Sequence, residues 1–321
     1  MKSSPCELLV RHNVCMNPSK LFSKLKRPFR RAVKNQTTLQ VSPAILEAAS
    51  ILRTAKKVAV LTGAGMSAES GIATFRAKEG GVWHQFDPSE VATPEAFKKD
   101  PRKVLAWHQA MRVTCQDAEP NAGHHAIARM QELFPEVIVI TQNIDGLHQR
   151  AGSKFVLELH GHLFRMKGFC DAAMHEPGAP VHCPVCRGCT SPRIIWQPEH
   201  KDAIVEFTEI RLGEVPRCPH CSGPLRPDVV WFNEGLDPYV LDAAWNIADG
   251  CDVLLVIGTS LQVQPVSGIP WRAAYKGIKV IEVNPEPAEA SGFWSVRIRG
   301  SAAETLPLLL NTIERQNTWH S

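Results

Sequence analysis

The sequence lacks several features, and each absence excludes a class of protein. No apolar run approaches the roughly 20 residues that a membrane-spanning helix requires, so we expect no association with a membrane. The stretch from Met1 to Glu7 lacks the apolar core of a secretory signal. We therefore assign the ten cysteines to a reducing, intracellular environment, where clustered cysteines bind metal ions more often than they form disulfides.

Acidic residues are scarce in the first 40 positions, which hold nine lysines and arginines and one acid, Glu7. This extension carries a net charge of +8, which leaves about −4 for the rest of the chain. Such a segment is typical of a disordered tail, of a mitochondrial targeting segment or of a segment that attracts nucleic acid. We interpret residues 1–40 as a disordered extension. We expect an intracellular protein, mitochondrial if the extension is a targeting signal and otherwise cytoplasmic or nuclear.

With 321 residues, of which 44% are hydrophobic and 21% charged, the composition is that of an ordinary globular protein. The length suits one large domain with an insertion or two modest domains. Helical periodicity predicts helices over residues 42–55, over 93–118 with an interruption at Pro101, and from 121 to Pro135.

The apolar run Val58–Thr62 ends abruptly in glycine and small polar residues. A continuous apolar run bounded by glycine predicts a buried parallel strand. Gly63 and Gly65 would let the backbone turn tightly beside a ligand, and the amides of the next helix would face a pyrophosphate. Because position 68 is not the glycine of the dehydrogenase fingerprint, an ordinary strand-to-helix turn remains an alternative.

Four further apolar runs also end in small or polar residues, and we predict a strand for each. These are 137–141 before Gln142, Asn143 and Asp145; 155–159 before His160; 252–257 before Gly258, Thr259 and Ser260; and 279–283 before Asn284. Alternating strands and helices predict an α/β fold with a doubly wound parallel sheet. Ligands bind outside the carboxyl ends of such strands, so the polar residues there are candidates for a site.

Residues 162–228 interrupt the strand pattern and concentrate cysteine, proline and histidine, which predicts an inserted subdomain. Cys183 and Cys186, like Cys218 and Cys221, have the spacing that lets both thiolates reach one tetrahedral Zn²⁺. Four thiolates close the coordination sphere, so we predict one structural zinc ion. The ligand set has alternative donors nearby, namely Cys170, His182, Cys189 and His220.

Seven blocks of sequence, in order between about residues 45 and 312, together carry a resemblance. They are Gly63–Arg76, Thr141–His148, Glu158–Gly161, the two cysteine pairs, Val229–Glu234, Gly258–Ser260 and Asn284. In this combination the chain resembles the sirtuins, the NAD-dependent protein lysine deacylases. The resemblance implies a catalytic domain over 41–315, with a Rossmann-like core (41–161 and 229–315) and the zinc-binding insertion. It also implies a cleft for NAD and an acyl-lysine peptide, and the products nicotinamide, O-acyl-ADP-ribose and free lysine.

The resemblance also implies roles for individual residues. His160 matches the catalytic base, which suits a side chain that accepts a proton at neutral pH, and Asn143 acts beside it. The implied NAD-binding residues are Gly63, Ala64, Gly65, Ser67, Glu69, Phe75, Arg76, Gln142, Asn143, Asp145, Gly258, Thr259, Ser260 and Asn284. The implied substrate-binding residues are Val230, Phe232, Asn233, Glu234, His108 and Met111.

Departures from the family pattern predict which acyl group is removed. Relatives that remove succinyl or malonyl groups carry a tyrosine and an arginine where this chain has His108 and Met111. Arg112 lies about 100° further round the helix, so we expect it not to substitute. The prediction is a preference for neutral acyl groups, acetyl first, with longer apolar chains accommodated by the adaptable Met111. Asn233 replaces a glycine, and its side chain is expected to crowd the peptide.

Three other functions compete with deacylation. An NAD-dependent oxidoreductase needs an acidic residue about 20 positions after the glycine loop, where this chain has Trp83. A zinc-ribbon module that binds nucleic acid is disfavoured by the net negative charge after residue 40. Protein ADP-ribosyl transfer cleaves the same dinucleotide and stays open. We expect an acylated protein as partner, no nucleic acid on the catalytic domain, and a monomer.

Overall fold

The computed structural model describes residues 41–74, 82, 86–169, 205–206, 214–218, 222–288 and 292–317. Of the predicted site residues, Phe75, Arg76, Cys183, Cys186 and Cys221 lie outside these ranges. No helix within them is long and apolar enough to cross a membrane.

Six parallel strands form the main sheet. They are β1 (Lys57–Thr62), β2 (Glu136–Thr141), β3 (Val156–Glu158), β7 (Val253–Ile257), β8 (Lys279–Val283) and β9 (Val296–Ile298). Their order is β3-β2-β1-β7-β8-β9, the order of a doubly wound nucleotide-binding sheet. The predicted α/β class and parallel sheet are confirmed, and the strand order reverses between β1 and β7.

The described helices connect these strands and cover the sheet. They are α1 (Pro43–Arg53), α2 (Pro88–Val91), α3 (Pro94–Lys99), α4 (Pro101–Asp117), α5 (Ala122–Leu133), α6 (Leu147–Arg150), α7 (Pro238–Gly250), α8 (Gly268–Tyr275) and α9 (Ala302–Asn317). The predicted interruption at Pro101 is confirmed, because Asp100 ends α3 and its carboxylate accepts from the Lys103 amide to begin α4. A 3₁₀ helix (Ala64–Ser70) follows β1.

Strand β1 shows why its apolar run is continuous. Val58 and Val60 pack with α1, α5 and α9 in one core, whereas Ala59 and Leu61 pack with α7 and α8 in another. Since both faces of the strand are covered between Val58 and Leu61, no position in that run favours a polar side chain. Each fully buried Val or Leu contributes about 1.5–3 kcal/mol.

A second, antiparallel sheet consists of β4 (Gly161–Gly168), β5 (Val205–Glu206) and β6 (Leu225–Val229). No strand was predicted for β4 or β6, because neither sequence is an apolar run. Several positions of β4 are only partly buried, and β6 is buried throughout but contains arginine, proline and aspartate. This sheet packs on α2–α4 around an aromatic cluster, in which Phe97 lies 4.9 Å from Phe169 and 5.4 Å from Trp231 between ring centroids.

Candidate active site

Three glycines bring the end of β1 against the end of β7. A Cβ atom added to Gly63 would lie 2.7 Å from Thr259 Cβ, and one added to Gly65 would lie 2.8 Å from Gly258 Cα. Gly258 has a φ of +59°, and an added Cβ would overlap the Met66 nitrogen. These glycines therefore allow close packing of two backbone segments at the point where the strand order reverses.

Two amides after the glycine loop are already bonded within the protein. The Gly65 amide donates to Gly258 O over 2.8 Å, and the Met66 amide donates to Gly63 O over 2.9 Å. The expectation that the amides at the start of this helix face a pyrophosphate is therefore wrong for these two. The 3₁₀ geometry directs them onto neighbouring carbonyls.

Thr259 connects two other predicted NAD-binding residues, Gln142 and Asn284. Gln142 Nε2 donates to Thr259 Oγ1 over 3.0 Å, and Asn284 Nδ2 donates to Thr259 O over 2.9 Å. Gly63, predicted beside them, donates its amide to Ile257 O over 3.0 Å. The structure thus brings together the carboxyl ends of β1, β2, β7 and β8, although these residues are far apart in the sequence.

Asn143, Ser67 and Asp145 form a buried polar cluster. Asn143 Nδ2 donates to Gly63 O over 3.0 Å and to Ser67 Oγ over 3.2 Å. Ser67 Oγ donates to Asp145 Oδ2 over 2.7 Å, and the Leu147 amide donates to Asp145 Oδ1 over 2.9 Å. Burial raises the pKa of Asp145 above its ordinary value, against the opposing effect of these hydrogen bonds. Such amide and carboxylate groups suit the amide and hydroxyls of a nicotinamide riboside.

His160 has a defined tautomer at the end of β3. Its Nδ1 lies 2.9 Å from Gln142 O, and a carbonyl oxygen only accepts hydrogen bonds, so Nδ1 carries the proton. In the neutral ring, Nε2 is then the nitrogen that can accept a proton. His160 is half-buried and lines a cleft, which is the arrangement expected of a general base.

The cleft has a volume of about 480 Å³ and lies between the two sheets. Its lining includes every predicted substrate-binding residue, namely His108, Met111, Val230, Phe232, Asn233 and Glu234. Gln142 and His160 line it from the main sheet, so the predicted base and the predicted substrate residues share one cavity. The remaining lining is mainly apolar and aromatic and includes Trp107, Ile144 and Trp231.

His108 forms an uncharged part of the cleft wall. Its Nδ1 lies 2.8 Å from Val104 O, and its Nε2 accepts from Trp231 Nε1 over 3.1 Å. Burial lowers the pKa of His108 to about 3, so the ring is neutral at physiological pH. Arg112 Nε instead donates to Leu163 O over 2.8 Å, and Arg112 is not among the described residues that line the cleft.

The loop after β6, residues 230–235, forms the other wall of the cleft. It is not a strand in this structure; a turn at Phe232 and Asn233 gives Asn233 a φ of +64°. This left-handed conformation explains why glycine is usual there and why asparagine, which tolerates it, can replace glycine. The expected crowding of the peptide stays a prediction.

Sequence reasoning missed the residue that supports this loop. Arg226 Nη2 donates to Glu234 Oε2 over 2.9 Å and to Val229 O over 2.6 Å, and Arg226 Nη1 pairs with Glu234 Oε1. Its guanidinium carbon lies 3.4 Å from the Trp231 ring centroid. Arg226 is only 2% exposed. An arginine and a glutamate eight positions apart carry no distinct pattern, so the sequence held no signal for this pair.

Two predicted NAD-binding residues, Glu69 and Ser260, have no hydrogen bond to the polar cluster of Asn143, Ser67 and Asp145 among the described contacts. Glu69 Oε2 accepts from the Ala303 amide at the start of α9 over 3.3 Å, a helix-capping contact. Ser260 is exposed at the end of β7. A role in binding NAD stays a prediction for both, as it does for Ala64.

Comparison with known proteins identifies the family. The model of the Sir2 family matches residues 63–265. This chain belongs to the Sir2 family. Two similar curated proteins are the NAD-dependent protein deacylases of Ralstonia nicotianae, 39% identical over 85% of this chain and 99% of the relative, and of Aeropyrum pernix, 41% identical over 81% of this chain and 94% of the relative.

Solved structures agree with the Sir2 assignment. A Sir2 homologue in complex with NAD is 34% identical, with a TM-score of 0.70 over 84% of this chain and 94% of that chain. A Sir2 homologue bound to a myristoylated histone peptide is 33% identical, with a TM-score of 0.60 over 86% of this chain and 98% of that chain. The predicted resemblance to sirtuins is confirmed.

Proposed function

We propose that this Sir2-family chain is an NAD-dependent protein lysine deacylase that acts on neutral acyl groups, acetyl first. The relatives named NAD-dependent protein deacylase match this chain over nearly their whole length. The observation that carries the proposal is the cleft in which His160 lies opposite an uncharged wall formed by His108 and Met111. An acylated lysine of a protein or peptide is the substrate that enters this cleft.

The polar cluster at the carboxyl ends of β1 and β2 fits NAD as co-substrate. Asn143 and Asp145 would hold its nicotinamide ribose end, and Thr259 and Asn284 lie on the side proposed for the adenosine. NAD would supply a ribose carbon, and the acyl oxygen would bond that carbon as its bond to nicotinamide breaks. His160, with Nε2 as acceptor, takes the proton of a ribose hydroxyl. The ribose oxygen would then bond the acyl carbon, and one water would be consumed as the lysine nitrogen leaves, giving nicotinamide, O-acyl-ADP-ribose and free lysine.

The acyl preference follows from the charge of the wall. Both ring nitrogens of His108 are engaged within the protein, and its pKa of about 3 leaves it uncharged. Met111 offers no cation, and Arg112 is held by Leu163 O. A carboxylate on the acyl group would therefore lose its hydration without a charged partner in the described wall, which is unfavourable.

An acyl-peptide panel assayed with NAD tests function and preference together. We expect peptide-dependent nicotinamide release and O-acyl-ADP-ribose, with kcat/KM for acetyl-lysine at least roughly tenfold above that for succinyl-lysine. The variant Met111→Arg is expected to reverse this ratio by placing a guanidinium in the cleft, whereas Arg112→Met, its neighbour on α4, should leave the ratio unchanged. Faster removal of succinyl groups by the unmodified chain would contradict the neutral-acyl proposal.

We also propose one structural Zn²⁺ held by Cys183, Cys186, Cys218 and Cys221. The described part of this set supports it: Cys218 is 1% exposed, its amide donates to Gly223 O, and its carbonyl accepts from the Ser222 amide, each over 2.8 Å. The main chain of Cys218 is thus bonded to both Ser222 and Gly223, a close return of the chain that suits a metal knuckle. Of the proposed ligands only Cys218 lies within the described ranges, and these ranges contain no group of three or more side chains that could hold a metal ion.

Metal analysis tests the zinc proposal. We expect one zinc ion per chain, and Cys218→Ser should lose the ion and lower the Tm, because a structural zinc site contributes directly to folding. Cys251→Ser is the matched control, since Cys251 is also buried but packs in the main-sheet core. Retention of zinc by Cys218→Ser would contradict the assigned ligand set.

A further inference from the structure

A buried histidine lies beneath the polar cluster and has no part in the chemistry described above. His148, on the short helix α6, is 1% exposed, and its Nε2 lies 3.1 Å from Thr62 Oγ1. Thr62 Oγ1 donates to Thr141 Oγ1 over 2.8 Å. Thr141 Oγ1 also accepts the main-chain amide of Asn143 over 3.0 Å. His148 is thereby connected to Asn143 through the last residues of β1 and β2.

The direction of these bonds determines the tautomer of His148. Because the Thr62 hydroxyl donates its proton to Thr141, it can only accept from His148. Nε2 of His148 therefore carries the proton, and Nδ1 is an acceptor. The chain of donors runs from His148 to Thr62 and on to Thr141, where it meets the Asn143 amide. We call these four groups the His148 relay.

The histidine is an unfavourable choice for this position unless the relay has a use. Its Nδ1 is buried and has no hydrogen-bond partner among the described residues, which costs free energy that a leucine of similar size would not. The ring packs edge-on against His124, with centroids 5.0 Å apart. Burial, with a smaller contribution from His124, lowers the pKa of His148 to about 3, so the ring is uncharged.

The relay ends at the residue whose side chain organises the NAD site. The Asn143 side chain donates to Gly63 O and to Ser67 Oγ, and both bonds depend on where the main chain at 143 lies. Asn143 lies two positions after the end of β2, outside any helix or strand that would hold its main chain. Its amide is instead bonded to a threonine hydroxyl, which is rotatable until a second bond orients it. The second bond comes from Thr62, and His148 orients Thr62 in turn.

We propose that His148 is a positioning residue for the proposed reaction: through Thr62 and Thr141 it holds the main chain of Asn143 in the geometry that binds NAD. The expected effect on turnover rests on the proposed function, whereas the expected effect on NAD affinity can be measured without it. His148 is not among the described residues that line the cleft, so the KM for the acyl peptide should not depend on it.

Three variants test the relay. His148→Leu removes the donor, Thr62→Val removes the middle hydroxyl, and His148→Gln retains an amide N–H near the position of Nε2. For each of the first two we expect the Kd for NAD by calorimetry and the KM for NAD to rise about three- to tenfold, the effect of one lost hydrogen bond. The KM for the acetyl peptide should stay within about twofold. His148→Gln should restore most of the NAD affinity, and the double variant His148→Leu/Thr62→Val should lose no more than either single variant.

Ser153→Ala is the matched control. Ser153 is buried, its amide donates to His148 O over 3.0 Å, and its hydroxyl has no partner among the described residues. We expect it to leave NAD affinity unchanged. A fall in kcat alone, with both KM values and the Kd for NAD unchanged, would show a merely structural role and overturn the proposal, as would additive losses in the double variant. Absence of turnover in the unmodified chain would count against the proposed function, while calorimetry of NAD binding would still decide the relay.

Discussion

Replacement of His160 by alanine is expected to lower kcat for the acetyl peptide by about 10²–10⁴-fold, the usual contribution of a general base. His160 Nδ1 donates to Gln142 O, which leaves Nε2 to accept a proton inside the cleft. Alanine removes that acceptor. The substitution leaves the Val230 amide bonded to His160 O over 2.9 Å, because that bond involves the main chain only.

The step at which the base acts makes this prediction more specific. In the proposed reaction His160 acts after nicotinamide has left, so exchange of labelled nicotinamide into NAD should fall less than deacetylation does. Both rates are measured on one enzyme preparation, together with the Tm. His125→Ala, at an exposed histidine of α5, serves as the control and should change neither rate. Equal losses of exchange and deacetylation, at an unchanged Tm, would remove His160 from the role of late base.

Replacement of Arg226 by methionine is expected to destabilise the protein by about 3–5 kcal/mol, because it leaves the Glu234 carboxylate without its buried partner. Arg226 binds that carboxylate through both Nη atoms and also bonds Val229 O. The Trp231 amide donates to the same carboxylate over 2.8 Å. The pair therefore fixes both ends of the loop that lines the cleft, so the KM for the acyl peptide should rise as well.

A double variant separates two costs of Arg226→Met: the loss of the ion pair and the burial of an unpaired Glu234 carboxylate. Arg226→Met/Glu234→Leu removes both charged groups and should be more stable than Arg226→Met alone. Urea unfolding measures both free energies, and an acetyl-peptide titration measures the KM. If the loss of unfolding free energy in the double variant equalled the sum of the losses in Arg226→Met and Glu234→Leu, the two residues would not be coupled.

The same pair contributes a pH dependence of known sign. Burial alone would raise the pKa of Glu234, but its hydrogen bonds and the charge of Arg226 outweigh burial and lower the pKa below the ordinary 4.5. A lowered carboxyl pKa stabilises the folded state fully above the unfolded pKa, and this stability is lost as the pH falls through the folded pKa. The unfolding free energy of the unmodified chain should thus lose this contribution below about pH 4.5, and Arg226→Met should lack that loss.

Much of the fold could be predicted because local sequence and final environment agree. β1 and β7 are covered on both faces, so they read as apolar runs, and Ser42 and Asp100 begin helices by bonding amides three positions later. β9 was missed because it is not an apolar run: a half-buried Arg297 lies between its two buried residues. β4 was missed because it alternates buried and partly buried positions.

The candidate site was predictable in its residue types but not in its connections. Gln142, Asn143 and His160 were found because each follows a strand, and the carboxyl ends of parallel strands meet at one edge of the sheet. The opposite wall came from the family pattern, which placed His108 and Met111 in the cleft. That pattern did not show that both nitrogens of His108 are engaged by Val104 and Trp231, and this engagement makes the wall neutral.

The sequence by itself determined the α/β class, the strands that end in polar residues, the family and the identity of the proposed base. It could do so because these depend on residues close together in the chain. Only the tertiary structure decided which partners those residues have: His148 meets Thr62 across 86 positions, and Trp231 meets His108 across 123. It also showed that the loop glycines accommodate a neighbouring backbone. Such contacts arise from the packing of separate segments, and no local pattern encodes them.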